Sequence, residues 1–164
     1  AQYWGGVMAA SRTDNRFDDR AVRFVKLLET LSIYQIHAHC LIYTTAAHTY
    51  RNVIYEPGNR LSRFHIQLSE LMKKMEIDDL KERLPIIKHV LIGLESSQLI
   101  ETPFFRVFRG LSEQYDLTQI NFEVETTLLG VELYYAALGV MSPFDEDFPN
   151  VEINEDYVLS YYFV

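Results

Sequence analysis

Residues 120–127, INFEVETT, alternate strictly between apolar and polar side chains. Successive side chains of a β-strand point to opposite faces of a sheet, so this period of two predicts a strand. Ile120, Phe122 and Val124 would form its buried face. A strand with one buried face needs partner strands and a covering layer of other elements. The chain is therefore expected to contain a small sheet covered on one side.

Two other short runs are candidate partners for this strand. Residues 64–68, FHIQL, alternate in the same way, and residues 104–110, FFRVFRG, are separated from INFEVETT by a polar loop. Two such runs joined by a polar loop predict a β-hairpin. The second and third strands would then form a two-stranded wing beside the first.

Helices are predicted for most of the N-terminal half. Residues 20–31 repeat apolar side chains with helical spacing, and Ser32 is a predicted N-cap for a helix that continues to Tyr50. This second helix is apolar nearly all round, which is typical of a central helix. One face of it is marked by Ile33, Ile36, Cys40 and Tyr43.

The second half predicts a short helix at ELMKKM, a longer one over residues 80–97 and a last one over residues 128–140. Thr126 or Thr127 would cap the last helix. Pro85 fits only the first turn of a helix comfortably. The longer helix is therefore expected either to start near the proline or to kink there.

These elements predict an α+β fold, mainly α, with a winged-helix-like unit of a short strand, helices and a two-stranded wing, padded by flanking helices. Three parts are distinguished along the 164 residues: an N-terminal helical part (1–63), the winged-helix-like part (64–141) and an acidic C-terminal tail (142–164). Together they are expected to form one compact domain.

The net charge of −8 is spread unevenly. Residues 1–63 carry eight Lys or Arg against five Asp or Glu, residues 64–141 seven against twelve, and residues 142–164 none against six. Phosphate backbones attract cationic surfaces and repel anionic ones. The winged-helix-like part therefore has the wrong sign for non-specific DNA binding.

The composition also indicates in which cellular compartment the protein is expected. The single cysteine, Cys40, excludes an intramolecular disulfide and is typical of a reducing cytosol. No apolar run reaches the roughly 18 residues that a membrane span needs. We expect a cytoplasmic protein without a membrane segment in this stretch. Because the chain starts without Met, in what reads as the second half of a helix, we interpret it as a fragment.

The central helix carries candidate metal ligands. His37 and Cys40 are spaced to share a metal ion, but no fourth ligand is apparent, and His48 lies too far along the helix. A buried cysteine with partly buried histidines is the favoured interpretation. No nucleotide-binding, hydrolase or zinc-protease motif is present. The sequence therefore predicts no enzyme, no cofactor and no metal.

A possible nucleic-acid or partner contact surface lies on the third long helix and the wing. Neighbouring acids, Glu82, Glu95, Glu123 and Glu125, would offset much of its charge, which favours protein contact over DNA contact. The more basic upstream region, with Arg12, Arg16, Arg20 and Arg23, would suit an acidic partner or the acidic tail of a neighbouring copy of the chain. The candidate contact residues are Lys81, Arg83, Lys88, His89, Arg106 and Arg109.

Three segments resemble a known family. Residues 3–43 carry a tryptophan-containing helix end, a polar loop and a helix that ends in Leu-Ser, residues 94–101 read LESSQLIE, and residues 126–139 read TTLLGVELYYAALG. These segments are similar to the abortive infection alpha (Abi-alpha) family of bacterial proteins, over roughly residues 2–140. Gln98 stands where glycine is commoner in that family. The matching residues of the first segment are Trp4, Gly5, Val7, Met8, Ala10, Leu27, Leu28, Leu31 and Ser32.

The resemblance implies a winged helix-turn-helix-like core and a role in phage defence, and it brings no catalytic residues. Our hypothesis from the sequence is a non-enzymatic protein-interaction module of a bacterial phage-defence protein, with a protein partner or self-association. The alternative is a DNA-binding winged-helix transcriptional regulator. A nuclease or toxin activity is the least favoured of the three.

Overall fold

A computed structural model describes residues 2–10, 20–50, 63–75, 80–101 and 121–139. These residues are mostly helical and include a small three-stranded antiparallel sheet, which confirms the α+β, mainly α fold. The predicted first strand of the wing, residues 104–110, lies outside the described residues, so the winged-helix interpretation stays a prediction. The elements are α1 (Gln2–Ala10), α2 (Arg20–Thr30), α3 (Ile33–Tyr50), β1 (Arg63–Gln67), α4 (Leu68–Lys74), α5 (Leu80–Ser96), β2 (Ile100–Glu101), β3 (Asn121–Thr126) and α6 (Leu128–Ala137).

The sheet has the order β1-β3-β2, and both pairs are antiparallel. Phe64 lies opposite Val124, and Ile66 lies opposite Phe122. All four side chains are buried. The alternation of FHIQL and INFEVETT is thus confirmed as the pattern of strands with one buried face. The first strand begins one residue earlier than predicted, at Arg63, and Leu68 already belongs to α4.

Helix α3 is central, as its apolar sequence predicts, and it packs on α4, α5, α6, β1 and β3. The predicted face is confirmed only toward the C-terminus. Cys40 and Tyr43 are buried, Ile36 is half-buried and Ile33 is 58% exposed. Ile33 is the first residue of the helix and lies outside the layer that covers the later turns.

Ser32 caps α3, as predicted. The backbone N–H of Gln35 donates to Ser32 Oγ (3.2 Å), and the backbone N–H of Ser32 donates to Gln35 Oε1 (2.7 Å). This reciprocal pair is a capping box, which satisfies two N–H groups that a helix start leaves without partners. Two residues three positions apart in the sequence therefore mark where α3 begins.

Pro85 lies inside α5, which begins at Leu80. Of the two alternatives for the proline, a helix start near it is therefore wrong, and a kink there stays a prediction. Proline supplies no N–H to the preceding turn. The proline itself is exposed.

The N-terminal helices pack on the C-terminal one. Both α1 and α2 contact α6. A Cβ atom at Gly6 would clash with the backbone carbonyl of Ala137, so α1 and α6 approach closely there. The predicted parts 1–63 and 64–141 thus contact each other. The predicted tail, 142–164, lies outside the described residues, and no helix in the described ranges is long and apolar enough to cross a membrane.

Candidate functional site

An open groove of about 620 Å³ lies where the end of α5, strand β2 and the start of α6 meet. Its lining combines carboxylates, one guanidinium, polar groups and exposed or partly exposed apolar side chains. Residues far apart in the chain form it because the sheet brings its two outer strands to either side of β3. The lining residues are Arg63, Glu95, Gln98, Ile100, Glu101, Glu125, Thr127, Leu128 and Leu129.

A row of charged residues crosses the sheet beside the groove. Arg63 on β1 and Glu101 on β2 both pair in register with Glu125 on β3. Directly opposite residues share one face of a sheet. Arg63 Nε donates to Glu125 Oε2 (2.9 Å), and Arg63 Nη1 lies 4.0 Å from Glu123 Oε1. These carboxylates raise the pKa of Arg63 above its usual value, chiefly through the hydrogen bond to Glu125.

The groove keeps an excess of negative charge. Among the lining residues that the structure describes, three carboxylates, those of Glu95, Glu101 and Glu125, face one guanidinium, a formal charge of −2. Glu95 lies in the last turn of α5, which contains no basic residue. A helix C-terminus carries a partial negative charge, so an acid there adds to the field and a cation would be favoured. The negative potential of these described groups favours a positively charged group in the groove.

Gln98 has an unusual backbone conformation at the edge of the groove. Its φ is +57°, and among the described residues it is the only non-glycine residue with positive φ. The N–H of Gln98 donates to Glu95 O (2.9 Å) and that of Leu99 to Leu94 O (2.9 Å). This pattern is a Schellman motif, in which glycine is the usual residue at the left-handed position. The glutamine side chain is exposed and lines the groove. Its Cβ atom makes the left-handed backbone conformation unfavourable here.

The buried hydroxyl of Tyr43 on α3 bonds to the two backbone segments that border the groove. Tyr43 Oη donates to Leu99 O (2.6 Å) and accepts from Thr127 N (3.0 Å). Thr127 Oγ1 in turn donates to Gln98 O (2.7 Å) and accepts from Gly130 N (3.0 Å). These bonds join the turn after α5 to the start of α6. Thr127 is therefore the N-cap of α6, as one of the two predicted alternatives.

His39 extends this polar network within the core. It is fully buried, its Nε2 lies 3.1 Å from Gly130 O, and its ring lies 4.5 Å from that of Tyr43. Burial lowers the pKa of His39 to about 3, although the hydrogen bond to Gly130 opposes this shift. The ring is therefore neutral at neutral pH, and Nε2 donates its proton to the carbonyl. Thr44 Oγ1 and Tyr134 Oη add a further contact at 3.1 Å between α3 and α6.

Of the basic residues that the sequence singled out, Lys88 and His89 have described side chains, and neither lines this groove. Lys88 and His89 are exposed on α5. The side chains of Lys81 and Arg83 lie outside the described part of the chain, as do Arg106 and Arg109 altogether. In contrast, two of the acids that were expected to offset the basic surface, Glu95 and Glu125, do line the groove.

The candidate metal ligands of α3 differ in their burial. Cys40 is buried and His37 is half-buried, as the favoured interpretation has it, whereas His48 is exposed. Among the residues that the structure describes, no three His, Cys, Asp or Glu side chains are grouped so as to hold a metal ion. His39, the fully buried histidine of the helix, was not singled out from the sequence.

In comparisons with protein-family models, curated proteins and solved structures, nothing matched this chain. The similarity to the abortive infection alpha family therefore stays a prediction from the sequence.

Proposed function

We propose that this chain is a non-enzymatic protein-interaction module whose groove receives a positively charged segment of a partner protein. The single observation that carries the proposal is the pairing of Glu101 with Glu125 beside Glu95, where the described lining has three carboxylates and one guanidinium. A cationic side chain placed among them would relieve their mutual repulsion.

Apolar residues of the groove favour a polypeptide over a simple cation. Leu128 is 51% exposed at the start of α6, and Leu129 is half-buried beside it. Peptide-binding sites combine an apolar anchor with charges that set partner choice and orientation. A segment with alternating or adjacent basic and apolar side chains fits both features.

The same charges oppose nucleic acid at this groove. A phosphate backbone brought near Glu95, Glu101 and Glu125 would be repelled. Lys88 and His89 are exposed elsewhere on α5 and remain the described residues through which the alternative, a DNA-binding regulator, would act. We therefore rank DNA binding second.

The biological setting that we propose is phage defence in a bacterial cytoplasm, on the strength of the resemblance to the abortive infection alpha family. Its test is the plating efficiency of phages on cells that express the protein. Protection that the wild type gives and Glu101→Lys abolishes would support both the setting and the groove. Equal plating with and without the wild-type protein would contradict the setting.

The interaction itself is tested by fluorescence anisotropy with two probes at low salt, a labelled peptide of alternating leucine and lysine and a short duplex DNA. We expect the peptide to bind and the DNA not to bind. Glu101→Gln should weaken peptide binding roughly threefold or more, because one groove carboxylate is lost. Glu70→Gln removes one equally exposed carboxylate on α4, outside the groove, and should leave binding unchanged.

Salt-dependent DNA binding that Lys88→Glu abolishes would overturn the proposal in favour of the DNA-binding alternative. Equal loss of peptide affinity in both glutamine variants would show that only overall charge matters, which would also contradict a specific groove.

A further inference from the structure

We infer that the partner segment is the exposed face of α2 in a second copy of this chain, so that copies associate head to tail. The inference rests on the proposed function, since it names the occupant of the same groove. It starts from a second surface of the molecule that complements the groove in both charge and apolar character.

Helix α2 divides into a buried and an exposed side. Phe24 and Leu28 are buried against the rest of the protein, whereas Val22, Arg23 and Lys26 are exposed. At about 100° per residue, these three exposed side chains lie within roughly 100° of one another around the helix. They form what we call the α2 basic face, defined as Val22, Arg23 and Lys26.

The α2 basic face and the groove each contain an exposed apolar residue beside charged ones. Val22 is 57% exposed beside two cations on the α2 basic face, and Leu128 is 51% exposed beside the groove carboxylates. Glu29 is also exposed, one turn beyond Lys26 on the same side, and reduces the positive charge of this helix. Arg23 and Lys26 nevertheless outnumber it, so the sign of the face stays opposite to that of the groove.

The size of the groove suits a few side chains of a helix. Pockets of roughly 300–1,000 Å³ hold ligands of drug size, and the groove of about 620 Å³ lies within that range. A helix laid along such a groove inserts residues spaced by three or four positions. Val22 and Lys26 have that spacing.

The two surfaces differ, so contact between them is heterologous. Each copy that offers its α2 basic face to a neighbour still has its own groove available. Such contacts continue into open chains of molecules unless their geometry closes a ring. The charge distribution of the sequence agrees with this polarity, since residues 1–63 carry an excess of Lys and Arg and residues 64–141 an excess of Asp and Glu.

The test is sedimentation velocity of the whole chain over a concentration series, at low and at high salt. We expect the wild type to associate with rising concentration and to dissociate as salt screens the charges. A groove variant, Glu95→Lys with Glu101→Lys, and a face variant, Arg23→Glu with Lys26→Glu, should each associate at least tenfold more weakly. All four side chains are exposed or half-buried, and circular dichroism checks that both variants fold.

Mixing the two variants gives the sharpest result. The groove variant keeps its α2 basic face and the face variant keeps its groove, so one pair of compatible surfaces remains. We expect a one-to-one complex that grows no further. A mixture that stays monomeric although the wild type associates would overturn the head-to-tail contact, as would wild-type-like association of either variant alone.

A wild type that stays monomeric at low salt would also overturn self-association. The peptide of alternating leucine and lysine then separates the two proposals. If the monomer binds this peptide and the groove variant does not, the groove still serves a foreign basic partner. If neither protein binds the peptide, the proposed function fails as well.

Discussion

Glu101 on β2 stands directly opposite Glu125 on β3, on the sheet face that borders the groove. Like charges directly opposite each other in neighbouring strands destabilise a sheet. Arg63 offsets part of this repulsion through Glu125, to which it donates a hydrogen bond, while Glu101 lies on the other side of β3. Where a local choice works against stability, a functional role is the usual reason.

Replacing Glu101 with lysine should therefore separate stability from binding. Lysine opposite Glu125 turns a repulsive pair into an attractive one, and the free energy of unfolding should rise by about 0.2–1 kcal/mol. Binding of the leucine-lysine peptide should fall, because the groove then carries less negative charge. Urea unfolding and fluorescence anisotropy measure the two effects. Glu70→Lys makes the same charge change outside the groove and should leave peptide binding unchanged; because Glu70 lies in the first turn of α4, this control should lower rather than raise stability. Loss of stability in Glu101→Lys would contradict the repulsive pair.

Replacing Gln98 with glycine should also raise stability while weakening peptide binding. Glycine at this left-handed position should raise the free energy of unfolding by about 0.5–1 kcal/mol, because it adopts positive φ without the penalty of a Cβ atom. The control is Gln98→Ala, which removes the same amide but keeps the Cβ. We expect both variants to bind the peptide more weakly and only the glycine variant to unfold at higher urea. Equal stability of the two variants would contradict strain at this position.

Several elements were predictable because local sequence sets them. The caps at Ser32 and Thr127 bond to residues three positions on, and the alternation along β1 and β3 follows from one buried face of the sheet. Pro85 left two alternatives open in the sequence, because proline disfavours a helix interior without forbidding it, and α5 contains it.

The site was less predictable, because it depends on register and on long-range hydrogen bonds. Arg63, Glu101 and Glu125 meet only once the order β1-β3-β2 is known. Tyr43 and His39 bond to backbone groups whose positions no local pattern specifies. The alternation of FHIQL extends back to Arg63, and that of INFEVETT includes Glu125, so both residues could be placed on the outward face from sequence.

Gly130 should be intolerant of substitution, although alanine normally stabilises a helix. A Cβ atom at this position would clash with the hydroxyl of Tyr43 and approach the carbonyl of Leu99. The hydroxyl would lose its bonds to Leu99 and Thr127, at a cost of about 1–3 kcal/mol for each buried group left unpaired. Chemical unfolding of Gly130→Ala measures the loss. The matched control is Gly5→Ala in α1, where nothing lies within 4 Å of the added atom and stability should hold or rise by about 0.5–1 kcal/mol.

The buried His39 should make the protein sensitive to mild acid. Its pKa is about 3 in the folded protein against an ordinary value of 6.5. Between these two values the unfolded chain binds a proton at this histidine and the folded chain does not. The free energy of unfolding is therefore unaffected by this group above pH 6.5 and falls as the pH drops below it, by about 1.4 kcal/mol per pH unit, until the pH approaches the folded value.

Urea unfolding at a series of pH values measures the slope. In His39→Gln the amide can still donate to Gly130, and the slope between the two pKa values should decrease by this amount. The exposed His65→Gln is the control, and an equal change of slope in both variants would contradict a neutral, buried His39.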